Sequence, residues 1–363
     1  MLYLYYVIFF FLILRFTVTL FNFISNPKLT SSPKYFNDLL SILIPARNEE
    51  SDILRLLQSL KIQDYQNIEV IVLDDNSEDN TYQVVHDFCE TDNRFKIIKG
   101  KPLESGWLGK NYACHQLAQQ AKGKFLLFLD ADEEVKNGLI NNALYRMYLG
   151  KLSLLSLFTN QVMKTKGEQS VIPLMHYLLL NLLPLRLVKI SRNPSFAAAS
   201  GQFMLFNAAD YHQNQWHQSV KNKVVEDVEI MKQVKTNALK GEALLANGFI
   251  YCRMYKNYQE CLNGFSKNLL SGFGNSIAGL LVYIFLIIIG PIIIAINLNL
   301  ELIYFALTLI VFSRIMISLL SSQNVFLNLI FHILQMFNML VLAYLSIQKN
   351  ISKNVVWKGR SIN

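Results

Sequence analysis

Two long apolar runs, one at each end of the chain, constrain the fold more than anything between them. Met1 to Ile24 carries a single charge, Arg15, and is long enough to cross the roughly 30 Å hydrocarbon layer of a bilayer as a helix. No basic stretch precedes it and no small-residue cleavage site follows it, so the run predicts a retained anchor rather than a cleaved signal peptide. From Ile277 to Ile347 the only charges are Glu301 and Arg314. Polar breaks at "NLNLE" and "SSQN" divide that stretch into about three pieces of spanning length.

The expected organisation is an anchor over 1–25, a globular region over 38–270, C-terminal transmembrane helices over 277–348 and a basic tail over 349–363. Lys349, Lys353, Lys358 and Arg360 favour a cytosolic tail. One anchor before a cytosolic middle and three spans after it would put the tail on the other side. One piece is therefore expected to be a re-entrant or interfacial hairpin, and Pro291 makes Ile277 to Asn297 the candidate. The net charge of +8 suits an anionic membrane face. Nucleic-acid binding is not expected, because the basic residues are scattered and no recognition motif accompanies them. Cys89, Cys114, Cys252 and Cys261 show neither CxxC nor zinc-type spacing, which points to a reduced, cytosolic middle.

After a Pro- and Ser-containing linker, "SNPKLTSSPKYFND", the middle alternates. "LLSILIP", "IEVIVLDD", "FKIIKG" and "KFLLFLD" read as strands, separated by helical patterns beginning "EESDILRLL", "DNTYQVV" and "LGKNYAC". Such alternation implies an α/β domain with a mostly parallel, Rossmann-like sheet covered on both faces. Ligands of such sheets bind beyond the carboxyl ends of the strands. Polar clusters fall at those ends: "PARNEE", "DDNSEDNT" and "DADEE". Val171 to Ile190 is apolar but interrupted by Pro173, His176 and Pro184. It reads either as a helix in the membrane interface or as a buried core helix. His176, His212 and His217 match no metal-ligand spacing; His217 is placed at most near an acceptor pocket.

The D-x-D of Asp130 and Asp132 at a strand end sets two carboxylates within reach of one hard cation, Mg2+ or Mn2+. Held there, the ion would take up charge from a departing diphosphate. Alone, the pattern is as compatible with capping of a following helix, and that is the reading given to Glu133 and Glu134. "PARNEE" is either a turn or a loop bringing Glu49 and backbone amides to a nucleotide. Lys110, at a helix start, would meet a phosphate or solvent.

Taken in order, "SILIPARNEE", "VIVLDDNSEDNT", the "GK" at Lys110 and "FLLFLDADEEV" resemble the nucleotide-sugar half of family-2 glycosyltransferases of the GT-A fold. "AAASGQFMLFNAADY" is similar to their acceptor-side strand, and "VVEDVEIMKQVK" to their ED motif. The resemblance covers Leu39 to about Asn268. It implies a membrane-anchored, inverting, metal-dependent enzyme moving a sugar from a nucleotide sugar, expected to be a UDP-sugar, to a lipid or isoprenoid acceptor at the cytoplasmic membrane. Pro45, Ala46, Glu49, Asp75, Lys110 and Asp130 would bind the donor, and Asp130 and Asp132 the metal. Asp227 would be the catalytic base with Glu226 beside it, and Gly201 and Gln202 would border the acceptor. The Q-x-x-R-W motif of processive members is missing after the ED. That resembles a non-processive branch including carotenoid-acid and hopanoid-associated glycosyltransferases, in which Arg253 or Lys267 could face the leaving diphosphate. Two alternatives are a polyprenyl-phosphate acceptor and a non-catalytic nucleotide-binding membrane protein.

Overall fold

The computed structural model describes residues 2–352 and two short strands, 356–357 and 360–361. It divides the chain into two units: a helical one, Met1–Asn26 with Met163–Pro184 and Tyr255–Asn363, and an α/β one, Pro27–Val162 with Leu185–Met254.

In the α/β unit, seven strands form one sheet: β1 (Leu40–Ala46), β2 (Ile68–Asp74), β3 (Phe95–Lys99), β4 (Phe125–Leu129), and the later Leu154–Phe158, Phe203–Asn207 and Gly241–Leu245. Their order across the sheet runs Phe95–Lys99, β2, β1, β4, Phe203–Asn207, Leu154–Phe158, Gly241–Leu245. The first four are parallel, whereas Phe203–Asn207 is antiparallel to both neighbours. The β4 sequence FLLFL is buried along its whole length, which suits a strand covered on both faces. Helix Ile53–Lys61 buries Ile53, Leu56, Leu57 and Leu60, the three- and four-residue spacing of one helical face.

Register decides what meets at the sheet edge. Ala46 pairs with Asp74, so β1 and β2 end level. Leu129 pairs with Phe203, so the antiparallel strand begins where β4 ends. Gly201 and Gln202, just before Phe203, thereby arrive at the same edge as Asp130; the Asp130 N–H donates to the Gln202 carbonyl at 3.4 Å. A smaller sheet sets Ile250–Cys252 between Glu133–Val135 and Asn160–Gln161. This corrects one expectation: Glu133 and Glu134 belong to a strand, and the next helix starts at Leu139, after Gly138. Their partner strand lies far along the chain and leaves no local mark on the acidic run. The linker is also more ordered than its composition suggests. Leu29 is buried and donates its N–H to the Leu245 carbonyl at 2.9 Å, and Asn142 Oδ1 accepts from Ser32 N–H at 2.7 Å.

Three helices of the other unit are long and apolar enough to cross a membrane: Leu2–Ser25, Ile277–Asn297 and Leu300–Leu320. The second is one continuous helix, so the expected hairpin at Pro291 is not formed. Pro291 follows a wider turn over Phe285–Ile289, which accommodates its ring and missing N–H without a break. Beside it, Gly290 lets this helix approach the first one; a Cβ there would meet Ile8 at 3.0 Å. The piece after "SSQN" forms helices Val325–Ile330 and His332–Ser352, and the latter buries Gln335, Asn338 and Ser346. Val171 to Ile190 is cut by its prolines into separate helices, of which Pro173–Leu182 buries Leu174, His176, Tyr177 and Leu180. Asn22 closes its C-terminal end, donating through Nδ2 to the Leu180 and Leu183 carbonyls at 3.0 and 2.8 Å. Buried His176 meets Gln323 at 3.2 Å through its ring nitrogen, a packing role.

Candidate active site

The loops after β1 and β2 are stitched together before any ligand is considered. Asn48 and Asn76 take left-handed conformations, φ 54 and 53°, which short polar side chains tolerate. The Asn48, Glu49 and Glu50 N–H groups donate to Ser77 Oγ, Thr81 Oγ1 and Asp79 Oδ2 at 3.0, 2.8 and 3.2 Å. Those amides are therefore engaged with the neighbouring loop. Beneath them lies Arg47, which sequence reading passed over. It is buried, with Nη1 donating to the Asp75 and Asn76 carbonyls at 2.7 Å each and Nη2 paired with Glu78 at 3.0 Å. A lone arginine between a strand and an acid-rich loop was the available signal. Asp74 and Asp75 are both buried, as is Ala46; Pro45 and Glu49 are partly exposed beside them.

At the next strand tip, three elements converge. Helix Gly109–Gln120 brings Lys110 at its second residue, Asp130 follows directly on β4, and helix Glu226–Thr236 opens on Glu226 and Asp227. Lys110 Nζ lies 2.7 Å from Asp130 Oδ1 and 3.5 Å from Glu226 Oε1. Asp227 accepts from Gly201 N–H through Oδ2 at 2.9 Å and from Val228 N–H through Oδ1 at 2.8 Å, which fixes its carboxylate. Gly201 makes room for this cluster: a Cβ there would stand 3.1 Å from Lys110 Nζ and 3.2 Å from Glu226 Oε1, so both side chains would have to give by a few tenths of an ångström.

Burial governs the charge of this cluster. It pushes Glu226 up to about 7, with Asp227 adding to the rise and Lys110 opposing it. Burial likewise raises Asp227, against its two N–H donors and Lys110. A more basic carboxylate is a better proton acceptor. Lys110 is held above its ordinary value by Asp130 and Glu226 although burial works the other way.

Asp132 faces a different set. Asp132, Glu133 and Cys252 each offer one ligand atom, all within 4.8 Å of one another. Cys252 Sγ is 3.4 Å from Asp132 Oδ2, brought there by the strand pairing of Ile250–Cys252 with Glu133–Val135. Glu133 is fully buried, and neither carboxylate oxygen has a hydrogen-bond partner among the described residues. A buried carboxyl with no donor is costly unless a cation or proton satisfies it, so the donor set fits a divalent ion. Glu133 and Cys252 were not candidates by sequence, since only the antiparallel pairing joins them to Asp132.

His217 is a packing residue here. It is buried, hydrogen-bonded to the Tyr211 hydroxyl at 2.7 Å and set against the Phe128 ring at 4.7 Å. Burial drives it down to about 3, so it is neutral.

Residues 41–213 match the family described as Glycosyl transferase family 2. The 4,4'-diaponeurosporenoate glycosyltransferases of Staphylococcus haemolyticus and of Staphylococcus aureus strain N315 are each 27% identical to the chain, over 256 and 271 residues. The alignments span 69% and 72% of this chain and 66% and 69% of those relatives. A mannosyltransferase of Pyrobaculum calidifontis, solved with GDP-Man and Mn2+, matches with a TM-score of 0.58 at 14% identity, over 96% of this chain and 99% of its own. At that identity the structural match shows the fold, which is the GT-A architecture.

Proposed function

We propose that the chain, whose residues 41–213 match the Glycosyl transferase family 2 and whose relatives are named as glycosyltransferases, transfers a sugar from a nucleotide sugar to a lipid hydroxyl, with Asp227 as base. The carrying observation is the half-buried Asp227 carboxylate, oriented by two backbone N–H groups and placed beside the Lys110–Asp130–Glu226 cluster at the strand tips. In the step proposed, the acceptor oxygen forms a bond to the anomeric carbon as the bond to the nucleoside diphosphate breaks. The hydroxyl proton passes to Asp227. A single displacement inverts the anomeric centre and needs no protein nucleophile. Moderate basicity suffices, because the hydroxyl becomes acidic only as the new bond forms. Lys110 balances the surrounding carboxylates and keeps Asp130 and Glu226 in place.

Asp75, Pro45, Ala46 and Glu49 are proposed to line the nucleotide pocket, with a UDP-sugar as the expected donor, and Gly201 and Gln202 to border the acceptor. Asp132, with Asp130 and Glu133 as further candidate donors, would hold Mg2+ or Mn2+ through oxygen. Such an ion supplies positive charge to the leaving diphosphate. The lipid acceptor is supported by the relatives, named for 4,4'-diaponeurosporenoate, and by the three helices of spanning length. That relatives' name also favours a second reading, an acceptor acid that is already ionised and needs no base. Membranes incubated with Mn2+ and a panel of radiolabelled UDP- and GDP-sugars test the proposal: label is expected in the organic phase, and label confined to water would refute it.

We also propose that the α/β unit and the C-terminal end share the cytosolic side. Two spans, Ile277–Asn297 and Leu300–Leu320, return the chain to the side it left, which agrees with the basic tail. A cysteine introduced at Ser352 should be labelled only after permeabilisation; labelling in sealed cells would place it outside.

A further inference from the structure

We infer that the helical unit binds the anionic head of a lipid between Arg15 and Arg314, inside the span of its membrane helices. Each arginine is the lone cation of its helix: Arg15 sits mid-way along Leu2–Ser25, and Arg314 lies in the second half of Leu300–Leu320. Both are buried, at 6% and 1% exposure. Both guanidinium groups lie against the same ring, with Cζ of Arg15 and of Arg314 at 5.0 and 4.8 Å from the Tyr177 centroid. Two like charges are thus gathered on one aromatic side chain.

No acid of the described residues forms an ion pair with either arginine. The one acidic residue of these helices, Glu301, stands in the first turn of Leu300–Leu320. It is thirteen residues from Arg314, on the order of 20 Å along a helix axis. Hydrogen bonding leaves donors over as well. Arg314 spends Nε on the Asn328 carbonyl at 3.4 Å, while its Nη1 and Nη2, Arg15 Nε and the Tyr283 hydroxyl have no partner among the described residues. Tyr283 is part of the same group, 5.8 Å from Arg15 Cζ to its ring centroid. Arginine cannot shed its proton to relieve the cost of burial, so unpaired guanidinium groups call for an anion. Ionisable groups within membrane helices mark ligand sites for this reason.

Beside Arg15 and the shared Tyr177 ring lies a small cleft lined by Leu12, Arg15, Tyr177, Leu309, Ile310 and Ser313. Leu12, Leu309 and Ile310 supply apolar wall next to the Arg15 cation, which suits an acidic head carried on an acyl or isoprenoid chain. The ligand is therefore an amphiphilic carboxylate or phosphate. This site stands apart from the identity of the sugar acceptor, since it rests on the helical unit alone.

The test uses the full-length protein in phosphatidylcholine nanodiscs carrying, in separate samples, palmitate, a phosphatidylglycerol or hexadecanol. Lipid retained on the ejected protein is measured by native mass spectrometry. At least tenfold greater retention of an anionic lipid than of hexadecanol is expected. Retention of palmitate alone identifies a carboxylate ligand, and of phosphatidylglycerol alone a phosphate one. Arg314→Gln should abolish the preference and Arg314→Lys keep most of it. Arg15→Gln, measured in parallel with its melting temperature, carries the test should Arg314→Gln fail to fold. Equal retention of charged and neutral lipids, or an unchanged preference in both Gln variants, overturns the inference.

Discussion

Glu242 in the α/β unit and Arg314 in the helical unit are both almost fully buried charges, and their surroundings are opposite. Glu242 draws in three cations: Arg146 donates through Nε and Nη2 at 2.6 and 2.5 Å, and Arg186 and Lys189 approach to 3.8 and 3.7 Å. The Lys110 cluster follows the same rule with the signs reversed, one cation answered by two acids. Among the described residues, Arg314 and Arg15 meet aromatic side chains and a carbonyl but no acid. A chain that answers Glu242 and Lys110 with its own charges, and leaves Arg15 and Arg314 without an acid among the described residues, relies in the second case on something outside itself.

Substitutions that remove one charge from each region should therefore differ in sign. The largest effect is expected for Glu242→Gln, which strands Arg146 beside two other cations. Breaking a buried pair from one side costs roughly 3 kcal/mol, read as a lowered melting temperature in detergent; an unchanged value would show that solvent screens the group. Arg314→Gln, in neutral detergent without anionic lipid, should instead raise stability by roughly 2 kcal/mol, the scale of inserting an arginine at a helix centre. A loss of stability there would mean that the cation is already compensated. A smaller effect sharpens the catalytic side: Gly201→Ala crowds Lys110 and Glu226, and overpacking of about 1–3 kcal/mol should cut kcat/KM about tenfold or more and lower the melting temperature by a few degrees. Wild-type kinetics in this variant would show that the cluster yields freely.

Much of the α/β unit was legible in the chain because its signals are local. β1, β2 and β4 announce themselves as apolar runs, and the polar residues after them fall at strand tips because a parallel sheet aligns those ends. What was not legible came from pairings between distant segments. Nothing near Asp132 foretells Cys252, and nothing in "DADEE" separates a helix cap from the edge strand Glu133–Val135. Gly201 was recognised by resemblance, but its reason for being glycine, the nearness of Lys110 and Glu226, depends on an antiparallel strand that reverses into the site. In the helical unit the apolar lengths were plain. Pro291 misled because the sequence shows the missing N–H but not the wider turn that absorbs it.

The most direct measurement compares Asp227→Asn with the wild type in full-length protein, following labelled sugar into the organic phase and donor binding separately. Transfer to a hydroxyl acceptor should fall by roughly 10²–10⁴-fold, the share a positioned base supplies, while nucleotide-sugar affinity stays near wild type. Transfer at the wild-type rate in Asp227→Asn would contradict the assignment of Asp227 as base and turn the account to an acceptor that is already ionised.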